Sequence, residues 1–289
     1  MQARDGRALL ARQTLAILEA GHYVVDERVV DIAADVRACV ASTRPVLPDD
    51  LEALKARVVA RFSGATPAVL ELRGESTLAA AHRLAGRGFG RVGVLNFASA
   101  RNPGGGFLGG SQAQEESLAR SSALHASLTG PAATPFYDHH RGARSLLYSD
   151  RVLVSPGCPV FRDDAGALLP APHRPTFLTC AAPNAGALAA NEPAALPLVP
   201  GVFAARAAGL LAVAADAGCD ALVLGAWGCG VFRNDPSLVA GIWRALLDPA
   251  RGAFARCFRH VDFAVLDSTP ARTCAGAFER AFAAAVVPS

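Results

Sequence analysis

Apolar and polar positions alternate along the chain with two periods, which predict short buried strands separated by amphipathic helices. Beyond the N-terminal third, strands are predicted at residues 68–72, 92–98, 152–154, 160–162, 168–169, 176–181, 221–225 and 261–266. Helices are predicted at residues 76–86, 112–128, 202–217 and 273–286, and one more begins at Asp235-Pro236. Strands that alternate with helices in this way indicate a mostly parallel or mixed sheet covered by helices on both faces.

The N-terminal third follows a different pattern. Residues 7–20 are predicted to form an amphipathic helix that ends at Gly21, and residues 23–32 form two short extended runs. Asp49 or Asp50 is predicted to cap a second helix that ends near Phe62. Farther along the chain, residues 129–145 are predicted to be a loop. The N-terminal third carries no recognisable chemistry and is interpreted as a buttress for the rest of the chain.

The composition describes a globular protein with a sizeable core. Of its 289 residues, 52% are hydrophobic and 18% are charged, and the formal net charge is +3. This charge is spread without basic blocks, which argues against a dedicated binder of duplex DNA or of membrane surfaces. The 7 cysteines include no C-x-x-C pair, which favours reduced thiols. Without an apolar signal segment or a run of about 20 apolar residues, we expect a cytoplasmic protein.

A glycine-rich loop follows the strand predicted at residues 92–98. Two adjacent carboxylates, Glu115 and Glu116, come after it where the next helix is predicted to begin. Residues 104–109 match the G-x-G-x-x-G string of dinucleotide-binding folds, but no acidic residue lies between Glu116 and Asp138, where such a fold needs its ribose ligand. A dinucleotide-cofactor fold is therefore disfavoured, whereas a loop in close contact with a ligand is favoured.

A second glycine-rich loop, residues 225–232, runs from a predicted strand to the helix that begins at Asp235-Pro236. The backbone N–H groups of such a loop and of the following helix N-terminus can bind a phosphate without a lysine. An ordinary turn between a strand and a helix is the alternative. Because both glycine loops follow strands, they can meet at the carboxyl edge of one sheet and clamp a nucleotide diphosphate.

The two adjacent glutamates have two interpretations. Acidic residues in the first turn of a helix complement its dipole, and Glu116 can pair with Arg120 one turn later. Their position directly after a ligand-shaped loop favours a chemical role instead. Cleavage of a glycosidic bond needs a carboxyl group that donates a proton to the leaving oxygen.

Other groups are weaker candidates. The Asp-His-His run at residues 138–140 could hold a metal, but no third ligand spacing supports this, and solvated loop histidines are the simpler interpretation. Cys229 could be a nucleophile, although a packing role is simpler. Trp227 and Phe232 fit either a core position or, for an aromatic beside a phosphate loop, contact with a ribose or base.

Together, three strings resemble the bacterial-type poly(ADP-ribose) glycohydrolases, whose signature is a triple glycine followed by Gln-Glu-Glu. They are Leu-Asn-Phe-Ala-Ser at residues 95–99, Asn-Pro-Gly-Gly-Gly-Phe-Leu at 102–108 and Gln-Glu-Glu-Ser-Leu-Ala-Arg at 114–120. Further similar segments lie at residues 14–15, 21–23, 155–156, 159–163, 181–184 and 224–236, so the resemblance covers most of the chain.

The resemblance implies an α/β fold of the macrodomain-like, three-layer α/β/α kind, with a mixed central sheet and an N-terminal helical extension. The extension would comprise residues 1–65, packed on a macrodomain-like catalytic domain of residues 66–289 in one compact unit.

The resemblance also implies an activity, which is hydrolysis of the ribose–ribose O-glycosidic bond of poly(ADP-ribose) to release ADP-ribose, without cofactor or metal. Glu116 would be the catalytic acid and base, and Glu115 would hold hydroxyls of the ribose being cleaved. The first loop would pack against that ribose, and the second would wrap the diphosphate, with Phe232 against the distal ribose. The implied substrate-binding residues are Ser99, Asn102, Gly104, Gly105, Gly106, Gln114, Gly228, Cys229, Gly230, Val231 and Phe232.

The expected partners are poly(ADP-ribose) and poly(ADP-ribosyl)ated proteins, with ADP-ribose as product, and neither duplex nucleic acid nor a membrane is expected. Two alternatives stay open. A macrodomain reader would bind ADP-ribose without cutting it and would not need paired glutamates. A hydrolase of mono-ADP-ribosylated protein or of O-acetyl-ADP-ribose would use the same sugar site with another leaving group. The end of the last strand, near Leu266 and Asp267, is the candidate place for the adenine.

Overall fold

A seven-stranded sheet forms the centre of the computed structural model, which describes residues 2–283. In spatial order its strands are β3 (Arg44–Val46), β6 (Val152–Ser155), β9 (Thr176–Cys180), β5 (Val92–Phe97), β10 (Ala221–Leu224), β11 (His260–Ala264) and β4 (Val69–Arg73). Strand β6 pairs antiparallel with both of its neighbours, and every other pair in this sheet is parallel. The predicted mixed central sheet is confirmed.

Helices cover both faces of this sheet. One face packs against α3 (Pro48–Arg61), α9 (Val199–Asp216), α10 (Pro236–Leu247) and α11 (Thr273–Phe282). The other packs against α2 (Ala33–Ser42), α4 (Thr77–Ala85), α5 (Gln114–Ser121), α6 (Leu124–Leu128) and α7 (Thr134–Gly142). Alternation along β10 shows why two cores form, since Ala221 and Val223 point into one and Leu222 and Leu224 into the other.

The remaining elements lie around this three-layer body. They are α1 (Gln2–Ala20), the hairpin of β1 (His22–Val25) and β2 (Arg28–Asp31), the hairpin of β7 (Val160–Arg162) and β8 (Leu168–His173), α8 (Ala185–Asn191), and 3-10 helices at Phe107–Gly109 and Pro193–Leu198. The stretch Pro193–Asp216 is long and apolar enough to cross a membrane, but 61% of its apolar window is buried inside the protein. Helix α9, within this stretch, is a core helix of the fold.

Local signals in the sequence located several helix ends correctly. Ser76 precedes α4, and its hydroxyl accepts a hydrogen bond from the Ala79 N–H group at 3.0 Å. Asp235 precedes α10, and its carboxylate accepts one from the Ser237 N–H group at 2.9 Å. Both contacts satisfy N–H groups that a helix start leaves without an intrahelical acceptor.

Two predictions in the middle of the chain are wrong. The single helix predicted at residues 112–128 is two helices, α5 and α6, because Ser122 adopts an extended conformation and bridges to Val160 in β7. The loop predicted at residues 129–145 contains α7. Each difference arises from contacts with distant parts of the chain that a local pattern does not contain.

The N-terminal third also departs from the prediction. Helix α1 begins at Gln2 instead of residue 7, and α2 and β3 were not predicted. Leu47, followed by Pro48, occupies the N-cap of α3, so neither Asp49 nor Asp50 caps it. The predicted end of the last helix, at residue 286, lies outside the described residues. Strand β3 brings the N-terminal third into the central sheet, and the division at residues 65 and 66 stays a prediction.

Arg206 fastens the loop before β6 to helix α9. Its side chain is only 1% exposed, and Nε donates to the Asp150 carboxylate at 2.7 Å. Its Nη1 donates to the carbonyl oxygens of Leu147 and Ala181, both at 2.9 Å. A buried cation with a full set of acceptors is costly to remove because those acceptors lose their partner.

We therefore expect Arg206→Met to lower the free energy of unfolding by about 3 kcal/mol. The matched control is Arg57→Met, because Arg57 pairs with Asp216 at 3.1 Å with 63% of its side chain exposed. That control should lose less than about 1 kcal/mol. Urea unfolding of both variants measures the difference, and equal losses would contradict the anchoring role of Arg206.

Candidate active site

A cleft of about 500 Å³ opens at the carboxyl ends of the parallel strands, the edge at which open α/β folds bind ligands. Strands β5 and β10 are parallel neighbours, so the loops that follow them meet at this edge. The walls include Phe97 and Ala98 after β5, residues 226–232 after β10, residues 265–267 after β11, and residues 112–114 at the start of α5. The structure therefore brings together the two glycine-rich loops that the sequence singled out.

Glu116 lies in the first turn of α5, beside the first glycine-rich loop. Its Oε1 accepts a hydrogen bond from the Gly106 N–H group at 3.0 Å. Its Oε2 accepts none from any residue within 2–283, and the side chain is half-buried. Glu116 is thus fixed through one carboxyl oxygen and has the other free for a ligand.

Gly105 lies where the two glutamate side chains converge. A Cβ atom at this position would lie 2.9 Å from Glu116 Cδ, closer still to Glu116 Oε1, and 3.3 Å from Glu115 Oε2. The residue also has a φ of +60°, which glycine adopts without strain. Only glycine lets the backbone lie directly against both carboxyl groups.

Glu115 is buried beneath the loop, with 3% of its surface exposed. Its Oε2 accepts a hydrogen bond from the Ser99 N–H group at 2.7 Å, and its Oε1 accepts one from Asn96 Nδ2 at 3.2 Å. Burial raises the pKa of Glu115 to about 8, and the neighbouring Glu116 charge acts in the same direction, while the two hydrogen bonds oppose the rise. At neutral pH the pair therefore retains a proton.

Three predicted binding residues order the first loop. Gln114 hydrogen bonds to the backbone of β5 through its amide oxygen at 2.9 Å and its amide nitrogen at 2.7 Å. The Ser99 hydroxyl accepts from the Asn102 N–H group at 3.2 Å, and the Asn102 carbonyl accepts from the Gly105 N–H group at 2.9 Å. These contacts fix the path of the loop from β5 to α5.

Helix α1 supports the far side of the same loop. Arg4 Nε donates to the Gly109 carbonyl at 2.9 Å, and Arg7 Nε donates to the Gly110 carbonyl at 2.8 Å. The sequence pattern gave no sign of this contact, because the arginines read as the polar face of an amphipathic helix.

The second glycine-rich loop presents free backbone donors to the cleft. Gly230, Val231 and Phe232 line the cleft, and none of their N–H groups has an acceptor among the described residues. Consecutive free amides of this kind form an anion-binding concavity. The N-terminus of α10, expected to contribute, is instead capped by Asp235, so the loop itself is the candidate diphosphate site.

The shape of the second loop depends on Asn234, which motif reasoning did not assign a role. Its Nδ2 donates to the carbonyl oxygens of Pro183 at 2.8 Å and Gly228 at 3.1 Å. Trp227 is fully buried, and its Nε1 donates to the Cys180 carbonyl at 3.2 Å, so it is a core residue. Phe232 is half-buried and lines the cleft.

Two tyrosines near the site were not found from the sequence. The Tyr148 ring centroid lies 6.0 Å from that of Phe232 and 5.9 Å from that of His140. Tyr137 is buried near Glu115, and its pKa is raised well above the usual value, first by burial and then by the Glu115 charge. Neither tyrosine belongs to a recognisable motif, and only the packing of α7 brings them to the cleft.

The histidines of α7 are structural. His140 is fully buried, with Nδ1 donating to the Phe136 carbonyl at 2.8 Å and Nε2 within 2.9 Å of the Ser149 hydroxyl. Burial lowers its pKa to about 4, so the ring is neutral at neutral pH. The expectation of solvated loop histidines is therefore wrong for His140.

One cluster within residues 2–283 has metal-ligand spacing, and it lies outside the cleft. It consists of Glu71, His260 and Asp262, none of which lines the cleft. Arg83 forms ion pairs with both carboxylates of this cluster. We interpret it as an ion-pair network that joins α4 to the sheet.

Comparison with known proteins gives consistent results. A sequence model described as "Microbial-type PARG, catalytic domain" matches residues 11–163. The structure of poly(ADP-ribose) glycohydrolase from Thermomonospora curvata is 46% identical, with a TM-score of 0.89, and the match covers 96% of this chain and 100% of that chain. The same enzyme bound to the inhibitor ADP-HPD is 46% identical, with a TM-score of 0.86, covering 96% of this chain and 99% of that chain.

A second organism provides a further match. The poly(ADP-ribose) glycohydrolase from Deinococcus radiodurans in complex with ADP-ribose is 45% identical, with a TM-score of 0.82, and the match covers 87% of this chain and 98% of that chain. No curated protein sequence matches the chain. The fold, the cleft at the strand ends and these similarities agree: the chain belongs to the family of microbial-type poly(ADP-ribose) glycohydrolases.

Proposed function

We propose that Glu116 is the carboxyl group with which this poly(ADP-ribose) glycohydrolase cleaves the ribose–ribose O-glycosidic bond and releases ADP-ribose. The observation that carries the assignment is the contrast between the two glutamates. Glu116 has a free carboxyl oxygen and is half-buried, whereas both oxygens of the buried Glu115 accept hydrogen bonds from the protein. Of the two, Glu116 is the one that can reach a substrate atom.

The substrate fits the cleft in one direction. We place the diphosphate on the free amides of the second loop, with Phe232 against the distal ribose. The adenine then extends toward Leu266 and Asp267 at the other end of the cleft. The residues assigned to substrate binding are Ser99, Asn102, Gly104, Gly105, Gly106, Gln114, Gly228, Cys229, Gly230, Val231 and Phe232.

The reaction needs one proton to be delivered and one to be removed. Glu116 donates a proton to the leaving ribose oxygen as the glycosidic bond breaks, and the bonding electrons leave with that oxygen. The anomeric carbon acquires oxocarbenium character, which the nearby diphosphate oxygens stabilise. The Glu116 carboxylate then removes a proton from water as the water oxygen bonds to that carbon, which restores the acid.

Glu115 supports this cycle as the inner member of the pair. We propose that it holds hydroxyls of the ribose being cleaved and fixes Ser99 and Asn96 beneath them. The proton that burial retains on Glu115 prevents two adjacent carboxylates from carrying charge together, so the pair titrates as one unit.

The supporting observations favour polymer cleavage over the two alternatives. A reader of ADP-ribose has no need for a carboxyl group held against the glycine loop with a free oxygen. We further propose that the polymer is presented on poly(ADP-ribosyl)ated proteins in the cytoplasm. Release of ADP-ribose from polymer, compared with release from mono-ADP-ribosylated protein at equal concentration, tests this substrate preference.

Glu116→Gln should lower kcat on poly(ADP-ribose) by about 10²–10⁴-fold, because the amide keeps an acceptor for the Gly106 N–H group but has no proton to donate. ADP-ribose affinity, measured by calorimetry, should stay within about twofold of that of the unmodified chain. Glu19→Gln, an exposed change in α1, is the control and should retain full turnover. Substantial residual hydrolysis by Glu116→Gln would refute the assignment.

Gly105→Ala should lower kcat by at least about 10²-fold, because the added methyl group displaces the Glu116 carboxyl group. Gly157→Ala is the matched control, since Gly157 has the same φ of +60° but no atom within 4 Å of the added Cβ position. Both variants should lose similar stability from backbone strain, while Gly157→Ala keeps its turnover. Equal kcat values for the two variants would be inconsistent with this steric role.

The raised pKa of Glu115 predicts a pH-dependent stability. The folded state keeps the Glu115 proton to about pH 8, whereas the unfolded chain releases it near 4.5, so stability falls as the pH rises between these values. Glu115→Gln removes this loss, which amounts to on the order of 4 kcal/mol. Urea unfolding from about pH 5 to about pH 9 measures it. Identical pH profiles for the variant and the unmodified chain would contradict the buried, protonated carboxyl group.

A further inference from the structure

Two cysteines from distant parts of the chain face each other across one wall of the cleft. Cys229 belongs to the second glycine-rich loop, and Cys274 lies in the first turn of α11. Both line the cleft and are half-buried, and their thiols form a hydrogen bond with each other. The candidate diphosphate loop and α11 therefore meet through a pair of thiols that solvent can reach.

Both cysteines are held on ordered backbone. The Cys274 N–H group donates to Asp267 Oδ2 at 2.8 Å, as part of the cap of α11. Cys229 follows the buried Trp227 by two residues, and its Sγ lies 3.8 Å from the Trp227 carbonyl oxygen. The contact between the thiols is thus a built feature of the cleft wall.

A second thiol pair in the chain provides a contrast. Cys39 and Cys158 also form a hydrogen bond, but both are buried in the core between the sheet and the helices that include α2. Neither lines the cleft. Only the pair at Cys229 and Cys274 combines thiol contact with access from the cleft, among the described residues.

We propose that Cys229 and Cys274 are a redox-modification site, at which a hydroperoxide oxidant joins them as a disulfide and weakens ADP-ribose binding. The effect on binding rests on the proposed function, in which the second loop holds the diphosphate. The bond itself depends only on the thiol geometry.

The chemistry balances with hydrogen peroxide as the oxidant. The Cys274 thiolate attacks one peroxide oxygen, the O–O bond breaks, and hydroxide leaves, so that Cys274 becomes a sulfenic acid. Cys229 then attacks the Cys274 sulfur, the S–O bond breaks, and the hydroxyl group leaves with the Cys229 proton as water. In total, two thiols are oxidised to one disulfide and one hydrogen peroxide is reduced to two waters.

The hydrogen bond also divides the roles of the two thiols. It lowers the pKa of Cys274, which makes Cys274 the attacking thiolate, and together with burial it raises the pKa of Cys229. Cys274 is therefore the residue whose removal should prevent the first step.

The disulfide acts on binding through geometry. Its S–S bond is about 2.0 Å long, much shorter than a contact between two thiols, so the second loop is drawn toward α11. The free amides of Gly230, Val231 and Phe232 follow the same loop and move away from the positions that hold the diphosphate. Bound ADP-ribose, which covers the loop, should in turn slow the oxidation.

The test treats the reduced full-length chain with hydrogen peroxide and maps its disulfides by mass spectrometry, with ADP-ribose affinity measured by calorimetry. We expect a cross-link between Cys229 and Cys274, and a Kd that rises at least about tenfold and returns after reduction with dithiothreitol, which corresponds to about 1.4 kcal/mol. Each variant is compared with its own reduced form. Cys274→Ser, and independently Cys274→Ala, should show neither the cross-link nor the peroxide-dependent rise in Kd.

Cys39→Ser is the matched control, since it removes a thiol from the buried pair and should keep both effects. Oxygen adducts without a cross-link, or a cross-link at Cys39 and Cys158 in place of the proposed one, would overturn the proposal. So would a disulfide between Cys229 and Cys274 that leaves the Kd unchanged. A reduced chain that fails to bind ADP-ribose would instead refute the proposed function, because mass spectrometry detects the disulfide whether or not the ligand binds.

Discussion

The catalytic edge of this protein depends on a buried carboxyl group at the end of a central strand. Glu115 receives hydrogen bonds from the Ser99 backbone and from the side chain of Asn96, and Asn96 Nδ2 also donates to the Thr179 hydroxyl at 3.2 Å. One buried group thus joins β5, β9, α5 and the first glycine-rich loop. A group with so little exposed surface cannot exchange these partners for water, so the loop above it has one path.

That fixed path determines what its neighbours can do. Glu116 is displayed on the outer side of Gly105 because Glu115 occupies the inner side. Burial gives two consecutive residues of one type different environments, with a proton retained on one and a free oxygen on the other. This division of labour between paired acids is set by depth in the protein and not by chemical identity.

The sequence predicted the central architecture well because buried strands carry their own signal. Strand β10 is apolar at every position, and a glycine-rich loop and an Asp-Pro helix start follow it. Helix α7 escaped prediction because its residues are mostly polar and it contains Pro135, which is compatible with a helix start as well as with a loop. The break at Ser122 was equally hidden, since it depends on pairing with β7. The paired glutamates were found from their position in a motif, whereas Asn234 and Tyr148 act through contacts that only the folded chain defines.

The contact between α1 and the first loop has a consequence for the order in which the protein forms. Arg4 and Arg7 meet the carbonyl groups of Gly109 and Gly110 across 105 and 103 residues of chain. Contacts of such separation form late, because a long stretch of chain must be ordered before its ends can meet. On the ribosome the first helix is complete long before the loop exists. Catalytic competence is therefore among the last properties that the folding chain acquires, and it arrives when the oldest segment docks against a much younger one.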